Sequence, residues 1–352
     1  VGLATPVALA AGLNKAARNH ILIRDTSALE QMRNVDVVVF DKTGTLTEGH
    51  PTVIGWLWAQ GQEEHYKDVL LAAESTSDHP LAEAIVTALE GEEQVIPAHL
   101  DGFENITGKG VRVAYQGAEY WVGSHKLLKD YQANLSDILA DMLTQYESDG
   151  NSIVYFGREN DLLAVIAIKD QLRVTSMEAI RELRIQDIEI CMLTGDGERT
   201  ASSVAGSLGI MRFVADAMPD DKEDFIHKLQ LQGKTVAMVG DGVNDAQALS
   251  CADVSIAMGK GTDTLMDTAM ITLRTSDLLL LPKVFRLSRQ TVSLMYRNLF
   301  WAFIYNTVGI FVAAGVLYPV YDILLSPALA GAAMALSCVS VALSSLRLSS
   351  RF

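Results

Sequence analysis

Apolar positions along this chain have two distinct textures. In the last quarter they form long unbroken runs. Leu299 to Tyr318 (LFWAFIYNTVGIFVAAGVLY) carries no charge, and Leu324 to Leu346 is a second run interrupted only by small and hydroxyl residues. Each is long enough to cross a hydrocarbon layer of about 30 Å as a helix. The pattern therefore predicts a transmembrane helical hairpin with its flanks over 284–352. Lys283, Arg286, Arg289 and Arg297 precede the pair, Arg347 and Arg351 follow it, and the connection holds Asp322 alone. That asymmetry puts both outer ends on the cytoplasmic side. Val1 to Gly12 is apolar without a basic leader, so 1–13 reads as the end of another membrane helix rather than a signal peptide. Lys15, Arg18 and Arg24 mark its cytoplasmic exit.

Elsewhere, short apolar runs alternate with helical periodicity. Val35 to Phe40 (VDVVVF), Ile188 to Leu193 and Thr235 to Val239 are continuous runs ending in Gly/Asp loops, as buried parallel strands do. With Leu162 to Ile168 and Asp253 to Ala257 they predict an α/β fold, a doubly wound parallel sheet built from 14–49 and 162–283. Between them, over 50–161, the texture changes to helices and hairpins such as VRVAYQGAEYWVG. That segment reads as an inserted α+β domain.

Composition narrows the function. The 352 residues carry 43 acidic against 28 basic side chains, a net charge of −15, with no Lys/Arg-rich run. A nucleic-acid binder needs a basic face, so no nucleic-acid partner is expected. Cys191, Cys251 and Cys338 are far apart with no CxxC pair, which suits free thiols in a reducing cytosol.

The chemistry concentrates at strand ends. Asp41-Lys42-Thr43-Gly44-Thr45-Leu46-Thr47 follows the first apolar strand. Ligands of open α/β sheets bind at such carboxyl ends. Asp41 is placed there to attack a phosphate and form an acyl phosphate. The string resembles the phosphorylation motif of P-type ATPases, within the haloacid dehalogenase superfamily. Thr194-Gly195-Asp196, Pro219-Asp220-Asp221-Lys222 and Gly240-Asp241-Gly242-Val243-Asn244-Asp245 follow in the family's order. The resemblance implies a haloacid dehalogenase-like phosphorylation domain with an inserted nucleotide-binding domain, using ATP and Mg²⁺. It implies catalytic roles for Asp41, Lys42, Thr43, Thr194, Gly195, Asp196, Lys222 and Asn244. The Mg²⁺ ligands would be Asp41, the carbonyl of Thr43, and Asp241, with Asp245 beside them; Asn244 and Asp245 would order Asp241 and Lys222. Phosphatases of this fold carry a second Asp two residues after the nucleophile. Thr43 stands there instead and cannot activate water, so the aspartyl phosphate is expected to persist.

Ser77-Asp78-His79-Pro80 resembles the Ser-Glu-His-Pro of heavy-metal pumps, in which the histidine contacts adenine; Ser77 or Asp78 can also cap a helix that Pro80 begins. Gly108-Lys109-Gly110 resembles the family's Gly-x-Gly. The implied nucleotide site comprises Glu74, His79, Pro80, Gly108 and Gly110. Tyr305 and Asn306 in the first apolar run, with Met334 and Ser337 at i and i+3 in the second, resemble the copper-exporting branch, Cys338 replacing its second serine. A thioether suits Cu(I) and is poor for hard cations. These readings imply ATP-driven export of Cu(I) by a multi-pass protein of the plasma membrane, with a cytosolic copper chaperone as donor. Gly2-Leu3-Ala4-Thr5-Pro6 resembles the sequence that follows a Cys-Pro-Cys ion site, and neither that site nor an actuator Thr-Gly-Glu occurs in these residues. Alternatives are a Zn²⁺/Cd²⁺ pump, for which the last two runs lack the lysine and aspartate; a soluble phosphatase; and a catalytically incomplete product.

Overall fold

The computed structural model describes residues 2, 4–59, 63–77, 79–92, 95–133, 137–241, 245–259, 269–314, 331, 335 and 339–345. The chain opens with α1 (Ala4–Arg18), β1 (Ile21–Ile23), α2 (Ser27–Met32), β2 (Val37–Asp41), β3 (Thr52–Trp58), α3 (Glu63–Glu74) and α4 (Pro80–Glu90). Next come β4 (Gly102–Ile106), β5 (Gly110–Tyr115), β6 (Ala118–Gly123), α5 (His125–Asp130), α6 (Asp137–Ser148), β7 (Ser152–Arg158) and β8 (Asp161–Lys169). The remainder comprises α7 (Ser176–Ile185), β9 (Glu189–Leu193), α8 (Glu198–Leu208), β10 (Arg212–Val214), α9 (Pro219–Leu231), β11 (Val236–Gly240), α10 (Ala246–Cys251), β12 (Val254–Met258), β13 (Ile271–Leu273) and α11 (Leu280–Ala313).

Seven strands form the first sheet in the order β1-β13-β12-β11-β2-β9-β10, parallel except for β1. Every residue of β2, β11 and β12 is buried, which is why these strands read as unbroken apolar runs. Val38, Phe40, Ile190 and Val239 face one core with α7, α8 and the start of α11. Val37, Val39, Met238 and Ala257 face the other, with α9 and α10. From β2 the chain order runs outward through β9 on one side and β11 on the other. The carboxyl end of β2 is therefore a topological switch point, where the diverging connections leave a crevice.

The inserted domain is a six-stranded antiparallel sheet, β3-β8-β7-β6-β5-β4. This overturns one expectation. Leu162 to Ile168 belongs to β8, paired antiparallel with β3 and β7, and not to the parallel sheet. Leu163, Ile166 and Ile168 pack in one apolar cluster, Leu162 and Val165 in another. Buried on both faces, the strand has the same apolar texture as a parallel one. The inserted sheet thus extends to Lys169 rather than ending at 161.

The first apolar run does not begin a new helix. Its described part, 299–314, continues α11, whose N-terminal half is buried through Leu281, Val284 and Phe285, while Phe300, Trp301, Phe303 and Ile310 lie exposed farther along. Helix α1 crosses α11 closely. A Cβ on Gly12 would stand 2.6 Å from Thr291 Oγ1, and Ala8 packs on Leu294 and Met295. Among the described residues no helix is long and apolar enough to cross a membrane. Of the second run only 331, 335 and 339–345 are described; Asn298 Nδ2 on α11 donates to Ser345 Oγ there at 3.1 Å.

Trp121 anchors the inserted sheet. It is fully buried, donates from Nε1 to the Glu159 carbonyl at 2.8 Å, and stacks on Tyr131 with centroids 5.1 Å apart. Trp121→Ala is expected to destabilise this domain by about 3–5 kcal/mol. A urea titration followed by far-ultraviolet circular dichroism checks this; a loss below about 1 kcal/mol would contradict the packing described.

Candidate active site

Strand β2 delivers Asp41 to the switch point as a buried carboxylate. Helix α9 answers it. Pro219 opens that helix and Asp221 accepts from Met218 N at 2.9 Å, which fixes the first turn carrying Lys222. Lys222 Nζ reaches Asp41 Oδ1 at 2.5 Å and Asp245 Oδ1 at 2.7 Å. Burial alone would lower the Lys222 pKa, but the Asp41 and Asp245 carboxylates outweigh it and hold it above its ordinary value.

One ammonium cannot neutralise the whole cluster. Asp41, Asp241 and Asp245 each offer an oxygen within 4.8 Å of the others. Burial, then the Asp41 charge, pushes both Asp241 and Asp245 up to about 7. At Asp245 these effects prevail over Lys222, which pulls the other way. Three hard oxygens that repel one another fit Mg²⁺. Gly44 leaves room for them, since a Cβ there would fall 1.5 Å from Asp241 Oδ2. Its φ of 70° is also left-handed, which favours glycine.

A second ion pair lies beside the first. Buried Lys42 pairs with Asp196 and donates to Ser152 Oγ at 3.1 Å. Despite burial, Asp196 holds the Lys42 pKa up and Lys42 holds that of Asp196 down. Thr194 Oγ1 accepts from Asp196 N at 3.1 Å, shaping the Thr194-Gly195-Asp196 turn after β9. Asp41, Lys42, Thr43, Thr194, Gly195, Asp196, Asp241 and Asp245 are thus carried by the adjacent strands β2, β9 and β11 and the segments that follow them, and Lys222 by the first turn of α9. Asn244 lies outside the described residues.

The sequence reading missed three residues. Asp170, just past β8, accepts from Thr47 Oγ1 and from Gly49 N at 3.1 Å. Arg173 donates to the carbonyls of Gly44 and, at 2.9 Å, Thr45. Together they hold the loop after Asp41. Ser152 reaches Lys42 from the inserted domain. All three lie more than a hundred positions from their partners; the one legible signal was Asp170 and Arg173 directly behind an apolar strand.

In the inserted domain His79, not Ser77, caps α4: its Nδ1 accepts from Leu81 N at 3.2 Å, with Pro80 in the first turn. Asp78 lies outside the described residues. The His79 ring is open to solvent yet closely surrounded. That crowding lowers its pKa, while Asp196, Lys42, Asp41 and Lys222 also act on it. Glu74 ends α3 buried, and desolvation raises its carboxyl to about 8. Gly110 is required where it stands: a Cβ would lie 2.1 Å from the Val122 carbonyl. Gly108 faces Met218 of the parallel-sheet domain, where a Cβ would lie 2.7 Å from Met218 Cε. Lys126 donates to the Asp216 carbonyl at 2.5 Å, and Arg199 pairs with Glu147 at 3.0 Å. Of the nucleotide candidates, His79 and Gly108 therefore face the parallel-sheet domain across an interface joined at several points.

The copper candidates are not assembled among the described residues. Tyr305 and Asn306 are exposed on α11, where Trp301 stacks on Tyr305 and Asn306 Nδ2 donates to the Ala302 carbonyl at 2.6 Å. Met334 and Ser337 lie outside the described residues.

Comparison with known proteins agrees with this geometry. Residues 35–253 match the haloacid dehalogenase-like hydrolase family. A copper-exporting P-type ATPase of Legionella pneumophila is 42% identical over 99% of this chain and 47% of its own length. A silver-exporting P-type ATPase of Salmonella typhimurium is 43% identical over 99% of this chain and 42% of its own. The chain thus spans less than half the length of these relatives. Among solved structures, a zinc-transporting PIB-type ATPase in the E2·Pi state matches with a TM-score of 0.68 at 35% identity, covering 98% of this chain and 55% of that one. The catalytic domain of the CPx-ATPase CopB-B matches at 0.64 and 28% identity, covering 77% of this chain and 96% of that domain.

The raised carboxyl pKa values fix a pH dependence. A carboxyl whose folded pKa lies above its unfolded 3.8 favours the fold below that value and loses this contribution as pH rises through about 7. Without Mg²⁺, the thermal midpoint is expected to fall as pH rises across that window; saturating Mg²⁺ should remove the fall. Mg²⁺ must displace the same protons, so its affinity should weaken as pH drops below about 7. Calorimetric titrations at several pH values check both. Arg173→Lys, which loses the two-pronged hold on the loop, is expected to weaken Mg²⁺ binding about tenfold in the same titrations while circular dichroism stays unchanged.

Proposed function

The chain belongs to the haloacid dehalogenase-like hydrolase family, and from that premise we propose that it is the phosphorylation and nucleotide-binding core of a copper(I)-exporting P-type ATPase. The observation that carries this reading is the bridge from Asp41 through Lys222 to Asp245 at the switch point, with threonine two residues after Asp41.

In this reading an Asp41 carboxylate oxygen attacks the γ-phosphorus of ATP, the bond to the ADP oxygen breaks, and an aspartyl phosphate remains. The protein's part is positioning and charge neutralisation. Lys222 balances negative charge at the attacking carboxylate, and Lys42, held by Asp196, supplies a second cation beside it. Asp41, Asp241, Asp245 and the Thr43 carbonyl would hold Mg²⁺, which supplies further neutralisation of the phosphate when bound. His79, Glu74, Pro80, Gly108 and Gly110 would form the nucleotide site. Asn244 would order Asp241. Thr43 offers no base, so water attacks the intermediate slowly.

Two things support copper(I) as the transported ion in this reading: the relatives and the soft or polar groups of the apolar runs. The relatives' names specify copper and silver. Tyr305, Asn306, Met334 and Ser337 would supply part of a Cu(I) site, within a multi-pass plasma-membrane protein whose catalytic domains face the cytosol. A cytosolic copper chaperone would deliver the ion.

Purified chain given labelled ATP and Mg²⁺ is expected to gain one acid-stable phosphate. Asp41→Asn should abolish it, and Lys222→Ala should slow its formation at least about 100-fold. Equal labelling of Asp41→Asn and parent would sink the assignment. Thr43→Asp is expected to speed decay of the intermediate by about 10²–10⁴, the usual return of a positioned base; an unchanged decay rate would remove Thr43 from the account. For the ion, the protein extended to the full length of its relatives should show Cu(I)-stimulated ATPase activity that Met334→Ala abolishes. Equal stimulation by Zn²⁺ would overturn the copper reading and leave the phosphorylation chemistry standing.

A further inference from the structure

A second cluster of ligating side chains lies on the outer side of the parallel-sheet domain, and neither the proposed phosphoryl transfer nor the proposed cargo uses it. Glu223 and His227 stand one turn apart on α9, and Cys251 ends α10 beside them. One carboxylate oxygen, one imidazole nitrogen and the thiol sulfur all lie within 4.8 Å of one another. We propose that Glu223, His227 and Cys251 form a binding site for a borderline divalent transition metal of the Zn²⁺ type, bridging α9 and α10.

The hydrogen bonds around the cluster orient it for this. Gln230 Nε2 donates to the Cys251 carbonyl at 2.9 Å, which turns Gln230 Oε1 toward His227 Nδ1 at 3.1 Å. Nδ1 must then be the donor, and in the neutral ring the lone pair sits on Nε2. A ligating histidine held through its other nitrogen is the arrangement metal sites use. Nε2 faces Glu223 Oε1 at 3.6 Å, too long for a hydrogen bond. With metal–ligand bonds of about 2.0–2.3 Å, two ligands of one tetrahedral ion stand roughly 3.3–3.8 Å apart. The carboxylate and imidazole already have that separation, and the thiol, no more than 4.8 Å from either, lies within about 1 Å of it. Glu223 and His227 remain accessible, with side chains 36% and 51% exposed, so an ion can enter.

The donor set selects the metal. One carboxylate, one imidazole and one thiolate are too soft for Mg²⁺ and too hard for Cu(I), and they suit Zn²⁺ and Co²⁺. Glu223 follows Lys222 directly and α10 runs on from Asp245, so an ion here would tie together the two helices that flank the Asp41 cluster. The site stands whatever ion the protein transports.

Co²⁺ titration of the whole chain, with Mg²⁺ saturating the aspartate cluster, tests this. Expected is an intense near-ultraviolet thiolate-to-cobalt band reaching its plateau at one equivalent and bleached by Zn²⁺. It should vanish in Cys251→Ser, persist in Cys338→Ser, and need at least about tenfold more Co²⁺ in Gln230→Ala. No band in the parent chain, or a band that survives Cys251→Ser or His227→Ala, would overturn the site and leave Glu223 and His227 a surface pair.

Discussion

The architecture at the crevice depends on one unbalanced charge cluster. Asp41, Asp241 and Asp245 converge on a space where Lys222 supplies an ammonium that bridges two of the three. Buried carboxylates are costly unless paired, and here burial first, then the Asp41 charge, raises two of the groups to about 7. Such a centre is destabilising by itself and is relieved by a hard cation. Its cost is carried by the surrounding sheet, whose central strands β2 and β11 are buried along their whole length. Functional centres are where a fold tolerates electrostatic strain of this kind.

Position is enforced from outside the cluster. The loop after β2 has few internal contacts: Gly44 N donates to Thr47 Oγ1, and Thr47 Oγ1 in turn bonds the Lys42 carbonyl and Asp170. Its shape depends on Asp170 and Arg173, which stand where the chain returns from the inserted domain. The connection that carries the inserted domain therefore also holds the loop after Asp41. Ser152 on Lys42 and the Arg199–Glu147 pair add contacts from that domain. Movement of the inserted domain would thus be felt at Asp41 through Asp170, Arg173 and Lys42.

Much of this was legible in the sequence, for identifiable reasons. Buried parallel strands have no polar face, so β2, β9, β11 and β12 appear as continuous apolar runs. Strands β1, β10 and β13 are three residues each, too short for any periodicity. β8 misled because an antiparallel strand covered on both faces has the same texture. The Asp41, Thr194 and Asp241 motifs were legible because each stands at the carboxyl end of an apolar strand, whereas Lys222 lies in the first turn of α9. Asp170, Arg173 and Ser152 act through partners 110 or more positions away, and only the place of Asp170 and Arg173 directly behind an apolar strand hints at them. The cap of α4 was misplaced because an imidazole took the role usually given to serine or aspartate. Glu223 and His227 show an i,i+4 spacing on their own helix, but only the fold brings Cys251 to them.

The central claim is that Asp41 itself accepts the phosphoryl group. An acyl phosphate, unlike a phosphoserine or phosphothreonine, is reduced by borohydride to an alcohol. The chain can be incubated with ATP and Mg²⁺, quenched, reduced and digested, and the peptide spanning the β2 end read by tandem mass spectrometry. The account predicts homoserine at position 41, dependent on ATP and absent in Lys222→Ala quenched at the same early time. Unreduced aspartate at 41 with phosphate on Thr43, Thr45 or any other residue would contradict it.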